Sequence, residues 1–176
     1  TYVERDVRQL KNISNLAQFT RLLRLCAGRT GQELNMTALS NDCGIDQKTV
    51  AAWLSVLQSS YVIYLLKPYY KNFNKRITKA PKLYFYDTGL ACSLLGITAA
   101  SDITLHSARG QLFENLIISE LLKNQFNKGA IDNLYYWRDK TGNEVDLLVD
   151  HPDHLTAIEL KSGATIAADF FRGLNY

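Results

Sequence analysis

The chain has 176 residues, 47% of them hydrophobic, 21% charged and 11% aromatic, and a net charge of +3; a chain of this size and composition buries roughly 70% of its unfolded surface and does not stay disordered. The longest unbroken apolar or aromatic run, Tyr61–Leu66, has six residues, whereas a membrane helix needs about 20, and no basic-then-apolar leader opens the chain, so neither a membrane protein nor a secreted one is expected. Three well-separated cysteines, Cys26, Cys43 and Cys92, point to reduced thiols and a cytoplasmic setting. A first residue Thr1 rather than Met suggests a piece of a longer protein.

The charge is unevenly divided. Thr1–Lys82 holds 13 Lys and Arg against 5 Asp and Glu, a net +8, and Leu83–Tyr176 holds 7 against 12, a net −5. A split of this kind suggests a basic surface for a polyanion in the front half; the alternative is a patchwork of solvated faces.

A helix is expected from Tyr2 to about Lys11. A second follows, with Leu16, Phe19, Leu22, Leu23 and Cys26 on one side, Asn15 as its cap, and Gly28 or Gly31 as its stop. The segment 35–57 has helix-turn-helix spacing. A short helix begins near Leu39 and Ser40, Cys43-Gly44 turns, and Ile45 closes the turn. Asp46 caps a second helix with the inner stripe Val50, Trp53, Leu54 and Leu57. Gln47, Lys48, Thr49 and Ala52 would then face a DNA major groove, unless the motif serves only as packing or as a protein contact.

Next comes a wing-like pair of strands, Tyr61–Leu66 and Leu83–Tyr86. Between them Lys67, Lys71, Lys75, Arg76, Lys79 and Lys82 supply six positive charges and no negative one, interleaved with Tyr69, Tyr70 and Phe73. Cations follow phosphates and aromatic faces stack on bases, so this segment reads as a nucleic-acid arm; docking on an acidic partner domain is the alternative. Asp87 caps a short helix that Gly96 ends. Residues 97–108 read as a linker.

The rear begins with a strong helix from Arg109 to about Phe126, carrying Glu114 near its start. Three strands follow, Leu134–Trp137, Glu144–Val149 and Thr156–Lys161. Alternate residues of a strand share a face, so Glu144 pairs with Asp146, and Glu159 with Lys161. Charged residues are disfavoured in strand interiors, so this cluster needs a reason. Two carboxylates, Asp146 and Glu159, with the Leu160 carbonyl suit a hard cation such as Mg²⁺, and Lys161 beside them can orient or deprotonate a water for attack on a phosphodiester. The competing reading is a solvated sheet face with ordinary ion pairs. His151 and His154 read as a polar turn, Cys26 and Cys43 as core thiols, and Trp53 and Trp137 as core anchors.

Glu144-Val145-Asp146 followed by Ile158-Glu159-Leu160-Lys161 resembles the PD-(D/E)xK nuclease signature, and Glu114 matches the extra acid many members carry. Tyr2-Val3-Glu4-Arg5-Asp6, Pro81 to Leu90, Phe113-Glu114-Asn115 and Tyr136-Trp137-Arg138-Asp139 extend the likeness across the whole chain, to the C-terminal region of a large prokaryotic group of AAA+ ATPases. The resemblance implies an α+β architecture: a helical winged-helix domain over 1–96, a linker at 97–108, and a PD-(D/E)xK restriction-endonuclease-like α/β domain over 109–176, incomplete at its end. It implies catalytic Glu114, Asp146, Glu159 and Lys161, with Mg²⁺ on Asp146, Glu159 and Leu160. The expected DNA contacts are Gln47, Lys48, Thr49, Lys71, Lys75, Arg76 and Lys79. No phosphate-binding loop is present, so ATP belongs only to an upstream domain of the same protein, through which oligomers would form. Departures are Val145 where the signature has Pro, and the missing end of the nuclease fold. The alternatives are a metal-dependent nuclease, a catalytically silent binding module, and a lid that couples to the ATPase.

Overall fold

A computed structural model describes residues 15–72 and 79–163. The expected first helix, the loop residues Phe73, Lys75 and Arg76, and the chain after 163 lie outside the described residues. The architecture is α+β. Its order is α1 (Leu16–Gly28), α2 (Met36–Cys43), α3 (Gln47–Ser59), β1 (Ile63–Pro68), β2 (Lys82–Phe85), α4 (Thr88–Leu94), α5 (Ala100–Leu105), α6 (Arg109–Asn127), β3 (Leu134–Arg138), β4 (Glu144–Asp150) and β5 (Leu155–Ile158).

The three front helices follow their local signals. The Asn15 Oδ1 accepts from the Gln18 N–H at 3.1 Å and starts α1, which buries Phe19, Leu22, Leu23 and Cys26. α2 begins three residues earlier than the sequence suggested, because Asn35 caps it through the Ala38 N–H at 2.9 Å. Gly44 then takes a left-handed φ of +68°, a conformation that costs a glycine little, and Ser40 donates to the Ile45 carbonyl to close the turn. Asp46 caps α3 through the Thr49 N–H at 3.0 Å. The stripe Val50, Trp53, Leu54 and Leu57 is buried as expected, with Phe19 edge-on to Trp53 at 5.5 Å between ring centroids.

One five-stranded sheet, ordered β2-β1-β3-β4-β5, joins front and rear. β1 is antiparallel to β2 and parallel to β3, and the rest is antiparallel. Because β1 and β2 pair Ile63 with Phe85 and Leu65 with Leu83, one face of the hairpin closes the helical core. Tyr64, Tyr84 and Leu66 face the other way, into a second core formed with Ile118 and Leu122 of α6, Leu134, Tyr136 and Leu147. Burying Leu and Ile side chains there stabilises the seam by about 2 kcal/mol each. Residues 97–108, expected as a linker, include α5 and the buried Ile97.

Several expected boundaries move for local reasons. β1 starts at Ile63 because the turn that follows α3 takes up Ser60 and Tyr61, with Tyr61 at a φ of +54°, and the Val62 N–H is taken by the Leu57 carbonyl. The strand expected over Thr156–Lys161 stops at Ile158. There the Asp146 carboxylate, rather than a strand carbonyl, accepts the Leu160 N–H at 2.7 Å, so the ladder ends at Leu147↔Ile158. Glu159 and Lys161 therefore follow β5 instead of lying on it.

Candidate functional site

The site is assembled where α6, β2, β4 and the segment after β5 meet. Between β3 and β4 the register shifts between Tyr135 and Trp137, so Tyr136 lies opposite both Leu147 and Asp146. A bulge of this kind breaks alternation and re-aims side chains. Val145, Asp146, Leu147 and Leu148 are in consequence all buried.

Asp146 is 8% exposed. Its Oδ2 accepts from the Leu160 N–H and lies 3.6 Å from the Lys161 Nζ, and the same ammonium donates to Glu159. Asp146, Glu159 and Lys161 thus come together as the spacing predicts. Burial would lower the Lys161 pKa, but its hydrogen bond to Glu159 and the charges of Asp146 and Glu159 outweigh it and hold it above the ordinary value. The second Glu159 oxygen, Oε2, is buried without a hydrogen-bond partner among the described residues. A buried carboxylate oxygen with nothing to accept from is unusual, and with the Asp146 carboxylate beside it the donor chemistry fits a hard cation. Among the described residues no group of three His, Cys, Asp or Glu is placed to hold a metal, so the candidate set is two carboxylates plus the Leu160 carbonyl.

Glu114 reaches the seam but is held elsewhere. Lys82 belongs by sequence to the basic arm, yet it turns inward and is 3% exposed. Its ammonium bonds Glu114 at 3.2 Å and also Glu144, and stands 5.4 Å from the Tyr136 ring centroid. The reason is charge: two half-buried carboxylates from α6 and β4 need a cation, and β2 delivers one. Burial pulls the Lys82 pKa down, and Glu114 and Glu144 outweigh it, so it is raised. The Tyr84 hydroxyl donates to the same Glu114 oxygen; burial first, and Glu114 second, push its pKa well up. Burial raises the Glu114 carboxyl, against Lys82 and Tyr84, which lower it, and Asp146 adds to the rise.

Asn115, next to Glu114 on α6, is fully buried. Its Oδ1 accepts from Thr30 and the Phe85 N–H at 2.8 and 2.7 Å, and its Nδ2 donates to the Phe85 carbonyl and Thr88. It uses all its bonding capacity to tie α6 to the end of β2. It falls in Phe113-Glu114-Asn115, and its partners Thr30, Phe85 and Thr88 all lie far from it in the sequence.

Of the expected DNA contacts, Gln47 and Lys48 are exposed at the start of α3 and Ala52 follows on the same helix, also exposed. Thr49 is half-buried and its hydroxyl donates to Asp46 at 2.7 Å, so it serves the cap. Lys71 and Lys79 are exposed at the two ends of the described arm; Lys75 and Arg76 lie outside the described residues. His151 and His154 stack on one another at 4.3 Å. No helix among the described residues is long and apolar enough to cross a membrane.

The family model described as a domain of unknown function, DUF8612, matches residues 1–101. The chain belongs to that family. A second model, also a domain of unknown function, DUF4143, matches residues 109–176, so the two matches meet within the segment expected as a linker. An uncharacterised protein of Mycobacterium bovis and one of Mycobacterium tuberculosis are each 30% identical over 165 residues, covering 94% of this chain and 36% of their own length. The chain thus spans about a third of the length of the curated relatives it matches. No solved structure matches it.

Proposed function

We propose that this chain is the DNA-binding and nuclease-like region of a longer AAA+ ATPase: α2–α3 and the β1–β2 arm act as a winged helix, and Asp146, Glu159 and Lys161 form a PD-(D/E)xK site for phosphodiester hydrolysis. The observation that carries it is the meeting of Asp146 and Glu159 on one ammonium, with one buried Glu159 oxygen that has no partner among the described residues. For the winged helix, residues 31–34 bond residues 81–83 around a bridge between Glu33 and Lys82. This gives the order helix, bridge, helix, helix, hairpin. The relatives' length outside the match leaves room for the ATPase domain that the resemblance implies.

Asp146, Glu159 and the Leu160 carbonyl would hold Mg²⁺, which supplies a nucleophile at neutral pH and charge neutralisation at the phosphate. Lys161, kept protonated by its two carboxylates, places a positive charge where a phosphate oxygen gains negative charge, and acts as an electrostatic stabiliser rather than a base. One observation favours a catalytically silent binding module instead: Glu114 is bound by Lys82 and Tyr84. The test is cleavage of linear, branched and single-stranded DNA by the full-length protein with Mg²⁺ or Mn²⁺. Asp146→Asn should abolish cleavage and weaken metal binding, and Lys161→Ala should slow cleavage while sparing the metal. Wild type equal to Asp146→Asn on every substrate would leave the binding-module reading.

A further inference from the structure

Four carboxylates line the seam, Glu114 from α6, Glu144 and Asp146 from β4, and Glu159 after β5, and two ammoniums answer them. Lys161 takes Asp146 and Glu159, and Lys82 takes Glu114 and Glu144. Glu144 and Asp146 stand two residues apart, about 7 Å along a strand, so the two groups are neighbours. They differ in how firmly the cation is held. Lys161 is exposed, whereas Lys82 is buried. Lys82 stands 5.4 Å from the Tyr136 ring centroid, a further attraction for a cation, and the Tyr84 hydroxyl donates to the Glu114 oxygen that the ammonium bonds. Its backbone is fixed as well: it pairs with Leu66 across the hairpin and forms a bridge with Glu33. Arg138 lies 3.6 Å from Glu144 but is shared with Glu33, so those two charges cancel. What remains of four negative and two positive charges is a deficit of two, the charge of one divalent ion.

We propose that Lys82 is the built-in cation of this site: it fills the place between Glu114 and Glu144 that a second divalent ion would take, and so limits the site to one ion, on Asp146 and Glu159. Lys82 is then a positioning residue, contributed by β2 of the front half to a site whose acids all lie in the rear. A hard cation needs carboxylate and neutral oxygens, and Glu114, Glu144 and the Tyr84 hydroxyl are such a set once the ammonium is removed. A divalent ion cannot join them while Lys82 is present, because two cations would repel at close range with both carboxylates already spent. The inference rests on the metal reading above and deepens it: it sets the ion count and gives Glu114 a role away from the metal.

The test uses the full-length protein without nucleotide, titrated with Mn²⁺ and followed by the electron paramagnetic resonance of the free ion. Counts are compared between variants, so ions bound elsewhere in the longer protein cancel. Wild type should hold one ion more than Asp146→Asn. Lys82→Ala should hold one ion more than wild type, keep that ion in the Asp146→Asn background, and lose it when Glu114→Gln is added. Lys82→Arg keeps a cation in place and should count as wild type. Because Lys82→Ala is costly to the fold, thermal melts accompany the titration. An ion that binds only the folded state stabilises it, so Mn²⁺ should raise the melting temperature of Lys82→Ala more than that of wild type. Glu114→Gln by itself should leave Mn²⁺ affinity within about twofold, whereas removing a group that holds or orients the ion costs about tenfold or more. A Lys82→Ala chain that gains no ion and that Mn²⁺ does not stabilise would overturn the proposal, as would a loss of about tenfold in affinity in Glu114→Gln. If Asp146→Asn binds as many ions as wild type, the metal reading of Asp146 and Glu159 fails, while a Glu114-dependent ion gained in Lys82→Ala upholds the role of Lys82.

Discussion

The helix-turn-helix segment and the seam around Lys82 are built by opposite means. In the first, the helix starts and the turn are set by contacts short in sequence: Asn35 to Ala38, Ser40 to Ile45, Asp46 to Thr49. In the second, Lys82 reaches Glu114 and Glu144, and Asn115 reaches Thr30 and Phe85. A local cap forms and breaks with one helix end and contributes little alone. A buried long-range bond holds separate elements in register, and losing one partner strands the others without water. The seam should therefore be the stiff, costly part of the molecule and the turn the tolerant part.

Lys82→Met should have the largest effect, because it leaves Glu114 and Glu144 facing each other in a mostly buried place; a loss of about 3–5 kcal/mol is expected from denaturant unfolding. Adding Glu114→Gln to Lys82→Met should recover part of that loss, and a double variant no better than the single would show that packing, not charge, sets the cost. Asn115→Ala comes next, at about 2–3 kcal/mol, since it orphans the buried N–H and carbonyl of Phe85. A change below that of a helix cap would mean that water enters the gap, and hydrogen exchange at Phe85 reads this directly. Asn35→Ala should cost about 1 kcal/mol in the same unfolding measurement. A cost equal to that of Lys82→Met would erase the contrast between the two regions.

The smallest effect is in acid. Slight burial opposes, but hydrogen bonds from Asn143 and Thr141 outweigh it and lower the Asp139 pKa from 3.8 to about 2. A carboxyl lowered on folding contributes stability that is present above its unfolded value and lost as pH falls through its folded one. Asp139→Asn should therefore flatten the pH dependence of stability between about 4 and 2. Glu114 has the opposite sign: its pKa is raised, so its contribution is complete below the unfolded value near 4.5 and fades as pH rises through the folded one. A Glu114→Gln variant should lose that opposing slope, visible in thermal melts across the acid range.

The caps, the turn at Gly44, the inner stripe of α3 and the run of α6 could be read from the sequence, because each depends on residues three or four apart. The trio Asp146, Glu159 and Lys161 could be read from two-residue spacing, even though β5 ends before Glu159. Lys82 could not. In the sequence it stands at the end of a run of cations, and only the pairing of β1 with β2 puts it on the face that meets α6 and β4. Asn115 was hidden for the same reason, since its partners lie far along the chain.

What the sequence by itself determined is therefore the local frame: where helices start, which faces are apolar, and which acids sit two apart on a strand. Tertiary structure decided which charges are used up and which remain for a ligand. One sheet carries β1 and β2 beside β3, and it turns a lysine of the arm inward to neutralise Glu114 and Glu144. A charge in a sequence has only a sign; its partner, and so its energy, depends on what the fold brings within a few ångströms.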